Sequence, residues 1–129
     1  MQPITQNEKN ITILVIDDEE NLCRLMKRVL ERKGYNAIVA MSGKEGLELF
    51  EKNCNIGVVV LDINLPEISG IQILEILLHK KENLKVVLTS GVMETKEISE
   101  CLSQNNVAFL QKPYDNTTFI ESIESLLKK

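Results

Sequence analysis

Five short runs of apolar and β-branched residues are spread along the chain, and each is followed by a segment with apolar residues at helical spacing. Continuous apolar runs of this length are typical of strands buried on both faces. Strands that alternate with helices predict a parallel sheet with helices on both faces. The predicted strands are Ile11–Ile16, Asn36–Ala40, Val58–Leu61, Val86–Ser90 and Val107–Gln111.

Residues that start and end helices stand between these runs. Gly34 follows a segment with apolar residues at helical spacing and is predicted to end it as a left-handed cap. The segment 94–104 has few apolar anchors and predicts a weaker helix. Other helix starts are predicted from capping patterns at Ser42 with Glu45, at Ser69 with Gln72, and at Asp115.

The connections restrict the order of the strands. Parallel strands are joined by right-handed crossovers, and a chain of this length with five strand–helix pairs favours one arrangement. We therefore predict an α/β fold with a doubly wound, five-stranded parallel sheet of the flavodoxin-like order 2-1-3-4-5.

The central apolar run ends abruptly in a carboxylate. Val58–Leu61 is followed by Asp62, then by Pro66, which cannot continue a central strand, and by Gly70 at a predicted loop exit. Asp62 is therefore expected at the carboxyl end of a central strand. In open α/β sheets ligands bind at that edge.

Composition narrows the class of protein. The 129 residues suit one domain, and 43% hydrophobic with 26% charged residues is typical of a globular protein. We predict a disordered leader over residues 1–10 and a folded domain over 11–129. A net charge of -4 argues against nucleic-acid binding through this domain, because phosphate contacts need clustered Lys and Arg.

The sequence predicts a cytoplasmic protein that does not enter a membrane. The first ten residues lack the apolar core of a signal peptide, and no stretch approaches the roughly 20 apolar residues that span a bilayer. The three cysteines, Cys23, Cys54 and Cys101, have no ligand-like spacing and are expected to be small, buried, reduced thiols.

Polar side chains stand at the ends of four strands that this order places side by side. They are Asp17, Asp18, Asp62, Thr89 and Lys112. Three carboxylates at one edge repel each other, and a hard cation such as Mg²⁺, which binds carboxylate and phosphate oxygens, would remove that cost. Lys112 and Thr89 could hold the oxygens of a phosphoryl group while an Asp oxygen attacks it, giving an aspartyl phosphate.

These residues resemble the receiver domain of two-component response regulators. The resemblance extends from about Ile11 to Leu127. It rests on an ordered set of short motifs at strand ends and on the start of the second helix. These are Asp17-Asp18, Asp62 with Leu65-Pro66 and Gly70, Thr89-Ser90, Phe109 before Lys112-Pro113, and Ser42-Gly43-Lys44-Glu45-Gly46-Leu47.

The resemblance implies a role for each of these residues. It makes Asp62 the acceptor of a phosphoryl group from a phosphohistidine on a sensor histidine kinase or a histidine phosphotransfer protein. It assigns Mg²⁺ to Asp18, Asp62 and the backbone carbonyl of Asn64, with Asp17 acting through water. It also implies phosphoryl binding by Thr89 and Lys112, switching by Thr89 and Phe109, and a loop shaped by Pro66 and Gly70.

The same resemblance implies a signalling switch rather than an enzyme with a separate substrate. Phosphorylation would change the affinity of the face formed by the fourth helix, fifth strand and fifth helix for an effector protein or domain. The last helix has acids and serines but no Arg for the ion pairs that such domains use to dimerise, so we predict a monomer before phosphorylation. The chain could act alone or within a longer regulator or hybrid kinase.

Each motif also has a simpler interpretation. Acids after a strand can merely favour a helix start, and we expect that role for Glu19 and Glu20. Lys112 could be a surface lysine before Pro113, and Thr89 an ordinary strand residue. Phe109 fits core packing and switching equally well. The combined set of strand-end residues favours the functional interpretation for Asp17, Asp18, Thr89 and Lys112.

Three other functions fit part of the pattern. A Mg²⁺-dependent aspartyl-phosphate phosphatase or transferase would have two acids one residue apart on the first strand, whereas here Asp17 and Asp18 are adjacent. A flavin-binding electron carrier would need a phosphate cradle where this chain has four acids. A phosphate-independent interaction module would tolerate losses in the acceptor site, but every residue of the pattern is present.

Overall fold

A computed structural model describes residues 11–92, 95–104 and 106–128. The predicted leader, residues 1–10, lies outside the described residues. Strands and helices alternate along the chain. They are β1 (Thr12–Ile16), α1 (Glu20–Arg32), β2 (Asn36–Ala40), α2 (Gly43–Lys52), β3 (Ile56–Asp62), α3 (Gly70–Lys80), β4 (Lys85–Ser90), α4 (Lys96–Leu102), β5 (Val107–Gln111) and α5 (Asn116–Leu127).

The five strands form one parallel sheet in the order β2-β1-β3-β4-β5. The predicted fold class and strand order are therefore confirmed. The strand order makes β3 the central strand and brings the carboxyl ends of β1, β3, β4 and β5 to one edge of the sheet.

Side chains that alternate along each strand build two separate cores, one on each face of the sheet. Ile13 and Val15 of β1 pack in the first core with α1 and α5, whereas Leu14 and Ile16 pack in the second with α3. Both faces are covered, because successive strand residues point to opposite sides of the sheet. This explains why the strands are continuous apolar runs rather than alternating ones.

The helix ends are formed largely as the sequence predicts. Gly34 has φ 95°, and its N–H donates to the Glu31 carbonyl while the Tyr35 N–H donates to the Leu30 carbonyl, which completes a Schellman motif. Ser69 forms the predicted capping box, and Asp115 caps α5. At Ser42 only half of the box forms, because the Glu45 carboxylate accepts from the Met41 N–H instead.

Differences from the predicted elements are small and local. β3 begins at Ile56, two residues before the apolar run, because the sheet pairs Ile56 with Thr12 of β1. The weak helix of segment 94–104 is α4, which is capped by Thr95 and buries only Ile98. None of the helices formed by the described residues combines the length and apolar character needed to cross a membrane.

Gly70 fixes the loop between β3 and α3 against the end of β3. Its N–H donates to the Ile63 carbonyl at 2.9 Å. A Cβ at this position would lie 2.6 Å from the Ile63 Cα and would overlap the Asp62 carbonyl oxygen. Only a residue without a side chain lets α3 start this close to Asp62.

Replacing Gly70 by alanine is expected to lower the free energy of unfolding by about 1–3 kcal/mol, because the new methyl group meets backbone that cannot move aside. Gly91→Ala is the matched control, since a Cβ there would have no atom within 4 Å. Urea denaturation of both variants measures the difference. Equal stability of the two variants would contradict the close approach at Gly70.

Candidate functional site

The parallel register gathers polar residues at the carboxyl edge of the sheet. Asp62, the last residue of β3, pairs directly with Thr89 of β4. Ile16 pairs with Leu61, so Asp17 follows beside Asp62. Lys112 follows β5, and its backbone N–H donates to the Ser90 carbonyl at 2.7 Å. The structure therefore brings together the strand-end residues that the sequence singled out.

Asp17, Asp18 and Asp62 form an acid cluster. One carboxylate oxygen from each lies within 4.8 Å of the other two. Asp17 and Asp62 are buried, with 3% and 4% of their surface exposed, whereas Asp18 is exposed. Two carboxylates of the cluster are therefore buried, and the third, that of Asp18, faces solvent.

Local hydrogen bonds fix the Asp17 carboxylate. One oxygen accepts from the Glu19 N–H at 2.9 Å, and the other pairs with the Lys112 ammonium at 2.8 Å. The backbone carbonyl of Asp17 accepts a hydrogen bond from the buried Cys23 thiol at 3.1 Å. Burial raises the pKa of Asp17, because it outweighs the lowering by Lys112 and by the Glu19 N–H.

Lys112 is the cation that faces these acids. Its ammonium contacts Asp17, Glu19 and Asp62, and only 15% of its side chain is exposed. Burial opposes its charge, but the hydrogen bond and charge of Asp17, followed by the charge of Asp62, outweigh burial and raise the pKa of Lys112. The peptide bond that joins it to Pro113 is cis.

The Asp62 carboxylate is held in a defined orientation. One oxygen accepts from the Asn64 N–H at 3.0 Å, and the other lies 3.3 Å from the Lys112 nitrogen. The Asn64 side chain is exposed, and its amide donates to the Ser90 hydroxyl at 3.0 Å. The loop after β3 thus orients the Asp62 carboxylate, and the ammonium group of Lys112, which follows β5, balances its charge.

Thr89 carries a buried hydroxyl without a hydrogen-bond partner among the described residues. A buried hydroxyl without a hydrogen-bond partner costs about 1–3 kcal/mol. Such a group indicates a place where a bound ligand can supply the missing hydrogen bond. Because Thr89 pairs with Asp62 in register, that hydroxyl stands beside the acid cluster.

Two other predicted residues lie around this centre. Phe109 pairs with Leu88 in the sheet and is partly buried against the core on the α3 face. Pro66 is exposed, and its carbonyl accepts from the Ile68 N–H at 2.8 Å across Glu67, which has φ 70°. This tight turn carries the loop from Asp62 back to Gly70.

The expectation that Glu19 and Glu20 serve only the start of α1 is wrong for Glu19. Its side chain makes no capping hydrogen bond and instead contacts the Lys112 ammonium at 3.2 Å. Glu20 lies in the first turn of α1 and pairs with Arg24 one turn later. No local sequence pattern indicates the Glu19 contact, because its partner lies 93 residues away in the chain.

Ser90 and Tyr114 also contribute to the site. The sequence indicates Ser90 only as part of the Thr89-Ser90 motif, without a role, and does not indicate Tyr114. The Ser90 hydroxyl is fully buried and accepts from Asn64 and from the Val92 N–H. Tyr114 stacks on Phe119 with ring centroids 5.6 Å apart, and burial followed by the charge of Asp17 raises its pKa to about 12.

The prediction of buried cysteines holds for Cys23, but Cys54 is exposed and Cys101 only partly buried.

This arrangement suits the binding of a cation and an anion side by side. The acid cluster supplies carboxylate oxygens, which are preferred ligands of Mg²⁺. Lys112 and the unpaired Thr89 hydroxyl supply donors for the oxygens of an anion. Asp62 lies between the two sets of groups, and a carboxylate in that position can act as a nucleophile.

Comparisons with known proteins agree with this geometry. The family model of the response regulator receiver domain matches residues 13–124. The transcriptional regulatory protein SrrA of Staphylococcus aureus is 32% identical over 117 residues, which are 91% of this chain and 48% of that protein. The chain thus spans about half the length of the curated relatives it matches.

Solved structures show the same fold. The receiver domain of a Francisella response regulator is 32% identical, with a TM-score of 0.81 over 92% of this chain and 98% of that one. A response regulator receiver domain protein from Clostridium thermocellum is 28% identical, with a TM-score of 0.83 over 92% of this chain and 94% of that one. The chain therefore belongs to the response regulator receiver domain family.

Proposed function

We propose that this receiver domain is a phosphorylation-activated switch in which Asp62 accepts a phosphoryl group from a phosphohistidine. Receiver domains are signalling switches and generally not classical enzymes. The observation that carries the proposal is the buried Thr89 hydroxyl, which has no hydrogen-bond partner among the described residues. Thr89 lies opposite Asp62 in the register of the sheet. A hydroxyl in that position can donate to a phosphoryl oxygen on Asp62.

The contacts of Asp62 support its role as acceptor. The Asn64 N–H holds one carboxylate oxygen, so the side chain is oriented before a donor arrives. The Lys112 ammonium lies 3.3 Å from the other oxygen and can pair with a phosphoryl oxygen once the bond to Asp62 has formed. In phosphoryl transfer such positioning and charge neutralisation supply most of the catalysis.

The acid cluster fits a divalent cation, and receiver domains generally bind Mg²⁺ at an acidic pocket. Asp18 and Asp62 would be ligands together with the Asn64 carbonyl, and Asp17 would act through water. The donor set supports this, because among the described residues Lys112 pairs with Asp17 and Asp62 but not with Asp18, so the three clustered carboxylates are only partly neutralised. When bound, Mg²⁺ supplies positive charge to the oxygens of the transferred group.

The phosphorylated state would be read out through β4, β5 and α4. The Thr89 hydroxyl gains a partner when it turns to the phosphoryl group, which biases β4 toward a second arrangement. Phe109 lies beside β4, pairs with Leu88 and is only partly buried, so it can follow that movement. α4 buries only Ile98 and is weakly anchored, as expected for an element that shifts.

The partners follow from the family and from the charge of the chain. Receiver domains interact with histidine kinases or phosphotransfer proteins and with effector domains. Here we propose a sensor histidine kinase or a histidine phosphotransfer protein as donor and an effector that docks on the α4-β5-α5 face. We also propose a cytoplasmic location, a monomer before phosphorylation, and no nucleic-acid contact through this domain, given the net charge of -4.

The first prediction is that Asp62 alone gains the phosphoryl group. Intact mass after incubation with Mg²⁺ and acetyl phosphate should show one added phosphoryl group on wild type and none on Asp62→Asn. Equal labelling of both proteins would place the acceptor elsewhere. If wild type stays unlabelled and a fluoride phosphoryl mimic does not bind, the domain is a phosphate-independent interaction module.

The second prediction concerns the unpaired hydroxyl. Thr89→Val keeps the shape of the side chain but removes a group that has no partner, so the free energy of unfolding of the unphosphorylated protein should rise by about 1 kcal/mol. The phosphoryl group on Asp62 should be lost faster than in wild type, while Thr89→Ser, which keeps the hydroxyl, should preserve its lifetime. Urea denaturation and mass time courses measure the two effects. A large loss of stability in Thr89→Val would contradict the absence of a partner.

The third prediction concerns the charge on Asp17. Its pKa is raised in the folded protein, so ionisation is more costly there than in the unfolded chain and lowers stability at neutral pH. Asp17→Asn should therefore unfold at a higher temperature than wild type at pH 7 without divalent cations. The difference should shrink as the pH falls through the raised pKa of folded Asp17 and should vanish below the ordinary Asp pKa of 3.8.

Added Mg²⁺ should raise the unfolding temperature of wild type more than that of Asp17→Asn, because the variant has lost one of the clustered carboxylates. Scanning calorimetry with and without Mg²⁺ measures the unfolding temperatures of wild type and Asp17→Asn. A variant that unfolds below wild type at pH 7 would show that the ion pair with Lys112 outweighs the cost of burial.

A further inference from the structure

Glu19 lies next to the acid cluster, but the proposed phosphoryl transfer and Mg²⁺ binding assign it no role. Its carboxylate is 3.2 Å from the Lys112 nitrogen and is 62% exposed. It is not one of the three clustered acids, so a cation held by Asp17, Asp18 and Asp62 would not neutralise it directly. The structure therefore has a fourth carboxylate, at the rim, that contacts the phosphoryl-binding lysine.

The ammonium group of Lys112 has three N–H donors. Three carboxylates surround it, with Asp17 at 2.8 Å, Glu19 at 3.2 Å and Asp62 at 3.3 Å. Before phosphorylation each donor can thus pair with one carboxylate. A phosphoryl donor that approaches Asp62 finds all three N–H donors occupied, so it must displace one carboxylate from Lys112 before the Lys112–Asp62 contact can pass to the phosphoryl group.

Glu19 is the carboxylate that can leave. Asp17 is buried and held by a backbone N–H, and Asp62 is the residue to be phosphorylated. Glu19 and Lys112 both line a cavity of about 450 Å³ with Leu22, Gly91, Pro113 and Tyr114. A Cβ at Gly91 would have no atom within 4 Å, so this wall of the cavity is open and an anion there can reach the Glu19–Lys112 pair.

We propose that Glu19 is a positioning residue that occupies one donor of Lys112 and slows the phosphorylation of Asp62 by anionic donors. The inference rests on the proposed function, because it concerns the rate of that reaction. Removal of the Glu19 carboxylate frees the donor for the incoming phosphoryl group. An exposed ion pair of this kind contributes a modest energy, so we expect a rate increase of about two- to five-fold.

The test compares Glu19→Gln with Glu20→Gln. The control removes the same charge from the neighbouring residue, which pairs with Arg24 instead of Lys112. The second-order rate of phosphorylation by acetyl phosphate is followed by intact mass, since the chain has no tryptophan for fluorescence. Acceleration in Glu19→Gln alone supports the proposal, and equal rates in both variants overturn it.

A third variant separates the contact from the charge. Glu19→Asp keeps the negative charge at the rim but shortens the side chain by one methylene, so the carboxylate no longer reaches Lys112 in the same way. If the contact matters, this variant reacts faster than wild type. A rate equal to that of wild type would mean that the charge alone repels the donor, and the proposal would be wrong.

A second readout needs neither donor nor divalent cation. NMR of the lysine ammonium groups reports how fast the Lys112 protons exchange with water. Glu19→Gln should speed this exchange, and Glu20→Gln should leave it unchanged. Unchanged exchange in Glu19→Gln would overturn the proposed contact.

The two hypotheses fail in different ways. If wild type gains no phosphoryl group, the proposed function fails, whatever the exchange of the Lys112 protons shows. If wild type is phosphorylated on Asp62 but Glu19→Gln reacts no faster, only the role of Glu19 fails.

Discussion

The repulsion between carboxylates that the sheet forces together is the constraint on which this site depends. Asp17 and Asp62 are buried side by side, and Asp18 and Glu19 add two further acids at the surface. Among the described residues, only the Lys112 ammonium forms ion pairs with these acids, and it contacts Asp17, Asp62 and Glu19. Like charges held at close range are costly unless they are compensated, so the site favours the binding of further positive charge.

Rigid backbone keeps the charges in place despite this cost. The parallel register fixes Asp62 beside Thr89, and Gly70 lets α3 start directly against the end of β3. The tight turn at Glu67 carries the chain between them. Because the two cores pack both faces of the sheet, their apolar burial can offset the unfavourable electrostatics at its edge.

The same edge of the sheet lies beside a weakly anchored helix. Asp17 directly follows β1 and Asp62 ends β3, whereas Thr89, Phe109 and Lys112 belong to β4, β5 and the segment after β5. The neighbouring α4 buries a single residue. In the proposed switch, a change of charge at Asp62 would therefore act on β4, β5 and the weakly anchored α4.

The sequence by itself determined the order of elements and the residues at the strand ends, because these depend on apolar runs, on helix caps and on general rules for parallel sheets. It also placed the caps at Gly34, Ser69 and Asp115 correctly, since each depends only on residues nearby in the sequence.

Only the tertiary structure decided how the side chains share their partners. Asp17 and Asp18 are adjacent in sequence, yet one is buried on Lys112 and the other faces solvent. Within the part of the chain that the structure describes, the Thr89 hydroxyl has no hydrogen-bond partner and Glu19 contacts Lys112, and both depend on packing between segments far apart in the chain. A local pattern contains no information about such contacts, because it shows which groups reach the edge of the sheet but not how the available hydrogen bonds are divided among them.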